Sequence, residues 1–307
     1  MSRKSKTGEK PRKAAEGNPT IAIVGAGRLA TFLTAALHDA GFTITEIVSR
    51  DLPRSRRRAL ALANKVGARA VTAKSAALDA TLLWFCVPDR EIHRAASAMA
   101  DRLVALNLAR QKAGVHIALH SSGALSSREL SPLRTAGVAA ASVHPMMTFV
   151  AGAHPSLEAV PFAIEGDAAA TSVARQIVRV LGGNSFSLLA SRKAAYHAWS
   201  TLTSPLLLAF LITLEDAARA AGFTPHDARR KSLPILRQTL ANYERLGSAR
   251  SFSGPLVRGD AETIAQHLVA LKQYPQAREL YVVLARAALR GLPVKNRNGL
   301  TRALRAR

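Results

Sequence analysis

From Thr20 onward, short apolar runs alternate with longer stretches in which apolar residues recur every three or four positions. That alternation predicts buried strands separated by amphipathic helices. Ile21–Val24 reads as a buried strand, residues 28–40 as the helix after it, and residues 45–48 as a second strand. An Arg/Ala/Leu helix over 54–66 and a short strand over 70–72 follow. Further strands are predicted over 81–87 (TLLWFCV), 115–119 and 139–143. Strands over 162–164 and 185–188 flank a helix over 168–181 and extend the same sheet. Strands and helices in this order predict an α/β domain with a mostly parallel sheet covered on both faces. After Leu189 the strand signals stop. Residues 190–221 carry one long helical pattern, which Pro205 is expected to kink or break. Pro225 opens a helix to about Leu246, the SFSGPLVRGD segment reads as a turn, and helices over about 261–273 and 276–290 precede a basic, frayed end at 293–307. The predicted organisation is a disordered basic tail over 1–18, the α/β domain over 19–189, and an all-helical domain over 190–307.

Gly25-Ala26-Gly27-Arg28-Leu29-Ala30 matches G-x-G-x-x-(G/A) directly after the first predicted strand. Gly25 permits the tight turn, Gly27 lets backbone approach a pyrophosphate, and Ala30 is small enough for helix to pack on strand. The helix start, with the backbone of Ala26, Arg28 and Leu29, offers N–H groups and a partial positive charge to the anion. With strand, turn, helix and second strand in sequence, the first domain reads as a Rossmann-type dinucleotide-binding fold. Where a carboxylate would select the ribose 2′-hydroxyl of NAD, the second strand ends in Ser49 and Arg50. Guanidinium suits a phosphate, so NADP is favoured, with Asp51 keeping NAD open.

Three more loops fall at strand ends, where ligands lie in open α/β sheets. Val87-Pro88-Asp89 reads as a helix start capped by Asp89 or as a cofactor-flanking loop. His120-Ser121-Ser122-Gly123 reads equally as an N-capping turn and as a site where Ser121 and Ser122 meet ribose, nicotinamide or substrate. His144 is a candidate proton donor or a packing histidine. Asp260 reads as the N-cap of the helix after the SFSGPLVRGD turn, and Arg258 as a carboxylate clamp or a lock on that loop. Cys86 reads as core.

The 307 residues carry 43 Lys plus Arg against 20 Asp plus Glu, a formal charge of +23. The tail accounts for only +4 of this, and the rest is spread over many segments, densest from Arg50 to Arg58. Neither zinc-finger spacing nor an aromatic nucleic-acid-binding strand accompanies it, so only weak polyanion attraction at low salt is expected, with no specific nucleic-acid partner. One cysteine excludes a disulfide framework and a cysteine-based zinc site; no metal is expected. The best apolar run, 206–214, falls short of a bilayer span, and the N-terminus lacks a signal-like apolar stretch, so a cytoplasmic location is expected.

GAGRLA, VPDREI, HSSGAL, HPMMTF, PFAIEGD, KAAYHAW and GPLVRGD occur in an order that resembles one family across about residues 19–290. It is the Rossmann-like family whose C-terminal part is called domain of unknown function 2520. That family is distantly similar to pyrroline-5-carboxylate reductase, ketopantoate reductase and 6-phosphogluconate dehydrogenase. The resemblance implies an NADP-binding domain and reductase chemistry. It also implies a helical domain of the 6-phosphogluconate dehydrogenase C-terminal type that completes the cleft and commonly dimerises. Lys193 and His197, four residues apart, share a helix face. The resemblance to the 6-phosphogluconate and ketopantoate enzymes matches Lys193 to a lysine that assists proton transfer at the substrate oxygen. His197 stands where those enzymes have a substrate-positioning Asn, and Ser204 where relatives carry another Asn. The alternative is a solvated Lys193 beside a structural Tyr196–His197 pair.

The expected function is NADPH-dependent reduction of a small, carboxylated carbonyl or imine compound, with Lys193 or His197 giving the proton. The nicotinamide is expected near Pro88, Ser121 and His144, and a homodimer is expected through the helical domain. The rival readings are a catalytically silent NADP-binding sensor and, on charge alone, a polyanion-binding protein.

Overall fold

The computed structural model describes residues 18–109, 114–150, 152–153 and 155–305; apart from Asn18, the expected tail lies outside them. Eight strands form one sheet in the order β3-β2-β1-β4-β5-β6-β7-β8. They are β1 (Ile21–Val24), β2 (Ile44–Ser49), β3 (Arg69–Thr72), β4 (Leu82–Phe85), β5 (Ile117–His120), β6 (Ala139–Pro145), β7 (Pro161–Gly166) and β8 (Asn184–Ser187). All neighbours pair in parallel except β6 and β7. Helices α1 (Arg28–Asp39), α2 (Pro53–Val66), α3 (Asp89–Leu108), α4 (Ser131–Thr135) and α5 (Ala168–Val180) provide the crossovers. Apolar cores lie on both faces of the sheet, one around Leu33, Ile47 and Trp84, the other around Leu83, Ile92 and Met99. Every residue of β1 and β4 is buried, which explains why both read as continuous apolar runs.

Chain order reverses at β1, which lies between β2 and β4. The carboxyl ends of these strands therefore open onto a topological switch point, where the glycine turn sits.

Several expectations change in detail. Cys86 lies one residue beyond β4, and Pro88, not Asp89, is the N-cap of α3. Asp89 and Glu91 instead occupy its first turn, where negative charge suits the helix dipole. The long pattern after Leu189 divides into a 3₁₀ turn (Ala190–Arg192), α6 (Lys193–Thr203) and α7 (Pro205–Arg219). The break falls at Ser204 (φ −130°, ψ −73°), as Pro205 requires. Next come α8 (Pro225–Ser251), α9 (Pro255–Arg258), α10 (Ala261–Ala270), α11 (Pro275–Gly291) and α12 (Arg297–Ala303). Thus the SFSGPLVRGD segment contains a helical turn, and Asp260 caps α10 by accepting from Thr263 N at 3.1 Å. The end expected to fray forms α12, because Leu300 is fully buried and Asn296 accepts from Gly299 N.

The chain divides into two compact units after Thr201, later than the expected break at residue 189. The turns of α6 that bear Lys193 and His197 consequently belong with the sheet. In the second unit Ile264, Leu268, Ala285 and Leu300 form a core, while Leu206, Leu208 and Ile212 of α7 stay exposed. By length and composition alone, the stretch Ala190–Arg219 is long and apolar enough to cross a membrane, although Ser204 interrupts it.

Candidate active site

The glycine turn forms one wall of a cleft of about 670 Å³ at the carboxyl ends of β1, β2 and β4. Gly25 has φ +116°, and a Cβ there would lie 2.5 Å from the Cys86 carbonyl oxygen, so both conformation and space require glycine. Gly27 differs: a Cβ there would meet only the Cys86 oxygen at 4.0 Å. The room beside Gly27 is open, and Gly27 is itself the N-cap of α1. No side chain caps this helix and no acid occupies its first turn, so its N-terminus presents N–H groups to the cleft.

Gly25, Ala26, Gly27, Ser49, Arg50, Val87 and Pro88 line the cleft as expected from the sequence. Arg28 and Leu29 stand in the first turn of α1 but not among the lining residues. Arg58, Lys74 and Arg94 also line it and were missed. Arg58 reaches the cleft from α2 while remaining exposed. Lys74 follows β3, which lies beside β2, so the sheet order brings it to Arg50's side of the cleft. Asp51 pairs with Arg56, which occupies the one carboxylate that could have favoured NAD. Burial pushes the Cys86 thiol up to about 12 against an opposing contribution from the Ser121 hydroxyl, so Cys86 is no thiolate nucleophile.

Next to β4, the loop after β5 is held by its own side chains. His120 Nδ1 accepts from Ser122 N at 3.1 Å, so its Nε2–H donates to Ser126 O at 3.0 Å. Burial lowers its pKa to about 4, outweighing the Ser126 contact, and the ring is a neutral strut. Ser121 Oγ accepts from Trp84 Nε1 at 2.9 Å. Ser122 Oγ accepts from the backbone N–H groups of Ala124 and Leu125 at 3.2 and 2.9 Å. The capping role expected of the loop is therefore taken by Ser122, whereas Ser121 serves the buried Trp84 indole. Beneath it, Glu165 accepts from the Ser127 backbone N–H and hydroxyl, and Arg134 ties Ser127 to Asp167.

Lys193 is only 2% exposed, which rules out the solvated reading. Its Nζ donates to Ser122 O at 2.6 Å and to Ser142 Oγ at 2.7 Å. Burial lowers its pKa to about 8, opposed by the negative charges of Glu165 and Asp89. Ser142, fully buried in β6, was missed; its signal was a polar residue inside an apolar strand, which must find a partner. His144 packs edge-on to His197 with ring centroids 6.0 Å apart. A Cβ on Gly123 would lie 2.5 Å from His197 Cδ2 and 2.8 Å from His144 Nε2. Lys193, His144 and His197 thus meet around the Ser122–Gly123 backbone, whereas Ser204 and Arg258 lie in the second unit. Gly123→Ala is expected to displace both imidazoles without unfolding the sheet; shifts of the two histidine signals with retained circular dichroism would verify this.

The fold and site define a Rossmann-type domain joined to a helical one. Residues 160–288 match the domain of unknown function DUF2520, and residues 8–145 match a Rossmann-like domain. The two matches span most of the chain and are the pair expected from the motifs. No curated protein matches it in sequence. Among solved structures, BF3122 from Bacteroides fragilis, provisionally described as an NADP oxidoreductase, is 21% identical with a TM-score of 0.68 over 88% of this chain and 97% of its own. Protein TM1727 from Thermotoga maritima is 22% identical with a TM-score of 0.67 over 93% and 100%. A pyrroline-5-carboxylate reductase from Coxiella burnetii is 13% identical with a TM-score of 0.56 over 94% and 98%.

Proposed function

We propose that this chain is an NADP-dependent oxidoreductase that reduces a small carbonyl or imine compound, most simply one bearing a carboxylate. The observation that carries the reading is one unit that holds both an open helix N-terminus at Gly27 and a buried ammonium, Lys193, at the neighbouring loop. The N–H groups of α1 would hold the pyrophosphate, and Arg50, Arg58 and Lys74 the 2′-phosphate. When bound, the reduced nicotinamide supplies a hydride to the substrate carbon. Lys193 Nζ would give a proton to the adjacent oxygen or nitrogen, its positive charge stabilising the anion that develops there. The buried position of Lys193 strengthens that interaction by excluding water.

NADPH oxidation across a panel of 2-keto acids, ketopantoate and pyrroline carboxylates tests the reaction. Turnover of one class supports it, and tight binding without oxidation across the whole panel would favour the sensor reading. Replacing Arg50 and Arg58 together by Ala is expected to weaken NADPH by about tenfold to a hundredfold while leaving NADH affinity nearly unchanged. Equal weakening of both coenzymes would place these arginines outside the 2′-phosphate site.

We also propose that the helical unit pairs with a second copy of the chain. Leu202, Leu206, Leu208 and Ile212 are 64, 49, 61 and 61% exposed within eleven residues, more large apolar side chains than a monomer usually leaves in water over so short a stretch. Light scattering should give twice the 32.7 kDa chain mass, and Leu208→Glu should halve it. A monomer at all concentrations would contradict the pairing.

A further inference from the structure

Tyr196 carries no role in the reading above, yet it is 6% exposed and its hydroxyl lies 2.8 Å from His144 Nδ1. The two rings meet edge to face at 84° with centroids 5.5 Å apart, so the contact has a fixed geometry. One of the two groups must donate. A phenol is a good donor and a weak acceptor, whereas the bare nitrogen of a neutral imidazole is a strong acceptor. Burial raises the Tyr196 pKa against an opposing contact from the Ser200 hydroxyl, and the Tyr196 hydroxyl stays protonated.

Donation in the opposite sense would need the proton on His144 Nδ1, on a neutral ring or an imidazolium, and the imidazolium is disfavoured. Burial lowers its pKa to about 3, and the Lys193 ammonium, His197 and His120, which all face it, act in the same direction. It is therefore a neutral ring carrying one proton. If Nδ1 accepts from Tyr196, that proton sits on Nε2, the edge that lies over Gly123 beside His197.

We infer that Tyr196 is a positioning residue that sets the tautomer of His144, so that a neutral Nε2–H is presented over Gly123 as a fixed hydrogen-bond donor to the substrate's heteroatom. The inference rests on the reductase reading for the identity of the acceptor, but the tautomer is a property of the chain alone. It also divides the labour between the two candidate donors. His144 would orient the heteroatom and share its developing charge without losing its proton, leaving Lys193 to transfer one. A partner that fixes a ring's tautomer through its other nitrogen is the same device that orients metal-bound and triad histidines.

The test is histidine ¹⁵N NMR on the full chain, with the His144 signal identified by its loss in His144→Gln. The wild type should show His144 neutral from pH 5 to 8 with the proton on Nε2. Tyr196→Phe, which keeps the ring but removes the hydroxyl, should bind NADPH within twofold of the wild type and show a mixture of the two tautomers. With a substrate in hand, the same variant should lose about ten- to a hundredfold in kcat. A wild-type proton on Nδ1, an imidazolium within this pH range, or the same tautomer with and without the hydroxyl would overturn the inference. None of these outcomes depends on cofactor binding, and failure to bind NADPH would count against the reductase reading alone.

Discussion

Replacing Lys193 by Ala is expected to reduce NADPH-dependent turnover by about a hundredfold to ten-thousandfold while leaving NADPH affinity nearly unchanged. The side chain contacts Ser122 O and Ser142 Oγ and does not line the cleft beside the glycine turn, so its loss should spare the cofactor. The pH profile gives a second readout. As proton donor, Lys193 must be protonated, so turnover should hold below pH 8 and fall as pH rises through about 8. Stability should move in the opposite sense. A lysine lowered to about 8 in the folded chain and titrating near its ordinary value when unfolded binds fewer protons in the native state across that interval. Its folding penalty is therefore fully present below about pH 8 and is relieved as pH rises towards 10.5. Equal loss of turnover and cofactor affinity in Lys193→Ala would make the lysine a structural residue.

Gly27→Asp should abolish binding of both nicotinamide coenzymes and leave the fold intact. The open space around Gly27 means that the new side chain meets no protein wall, since only the Cys86 oxygen comes within 4.0 Å of a Cβ there. Its carboxylate would instead stand where the pyrophosphate approaches α1, repelling the ligand and capping the N–H groups that should receive it. At Gly25 the same kind of change should act differently. With φ +116° and the Cys86 carbonyl 2.5 Å from a new Cβ, Gly25→Ala should destabilise the chain as well as weaken binding. Thermal melts of the two variants beside calorimetric titration would separate these effects. If Gly27→Asp retained NADPH affinity, the pyrophosphate would not lie at this turn.

The sheet was legible in the sequence because burial on both faces writes a strand as an unbroken apolar run, as in β1 and β4. The glycine turn was legible because its chemistry is local: each residue acts within six positions of the next. Arg58, Lys74 and Arg94 were not, because they converge only after β3, β2, β1 and β4 are laid side by side. The link from Lys193 to Ser142 spans 51 positions, and that from His144 to Tyr196 spans 52. No periodicity reports a contact of that range. Helix α12 was misread for another reason: a short basic segment looks frayed until Leu300 finds its place in the core. The same limitation left Lys193 open between a proton donor and a solvated side chain, since a lysine at helical spacing is usually on the water side.

Calorimetric titration of the purified full-length chain with NADPH tests the central claim, that the turn after β1 holds a nucleotide diphosphate. Saturable binding at one site per chain, weaker for NADH and lost in Gly27→Asp, is the predicted result. Absence of a binding signal for either coenzyme would contradict it.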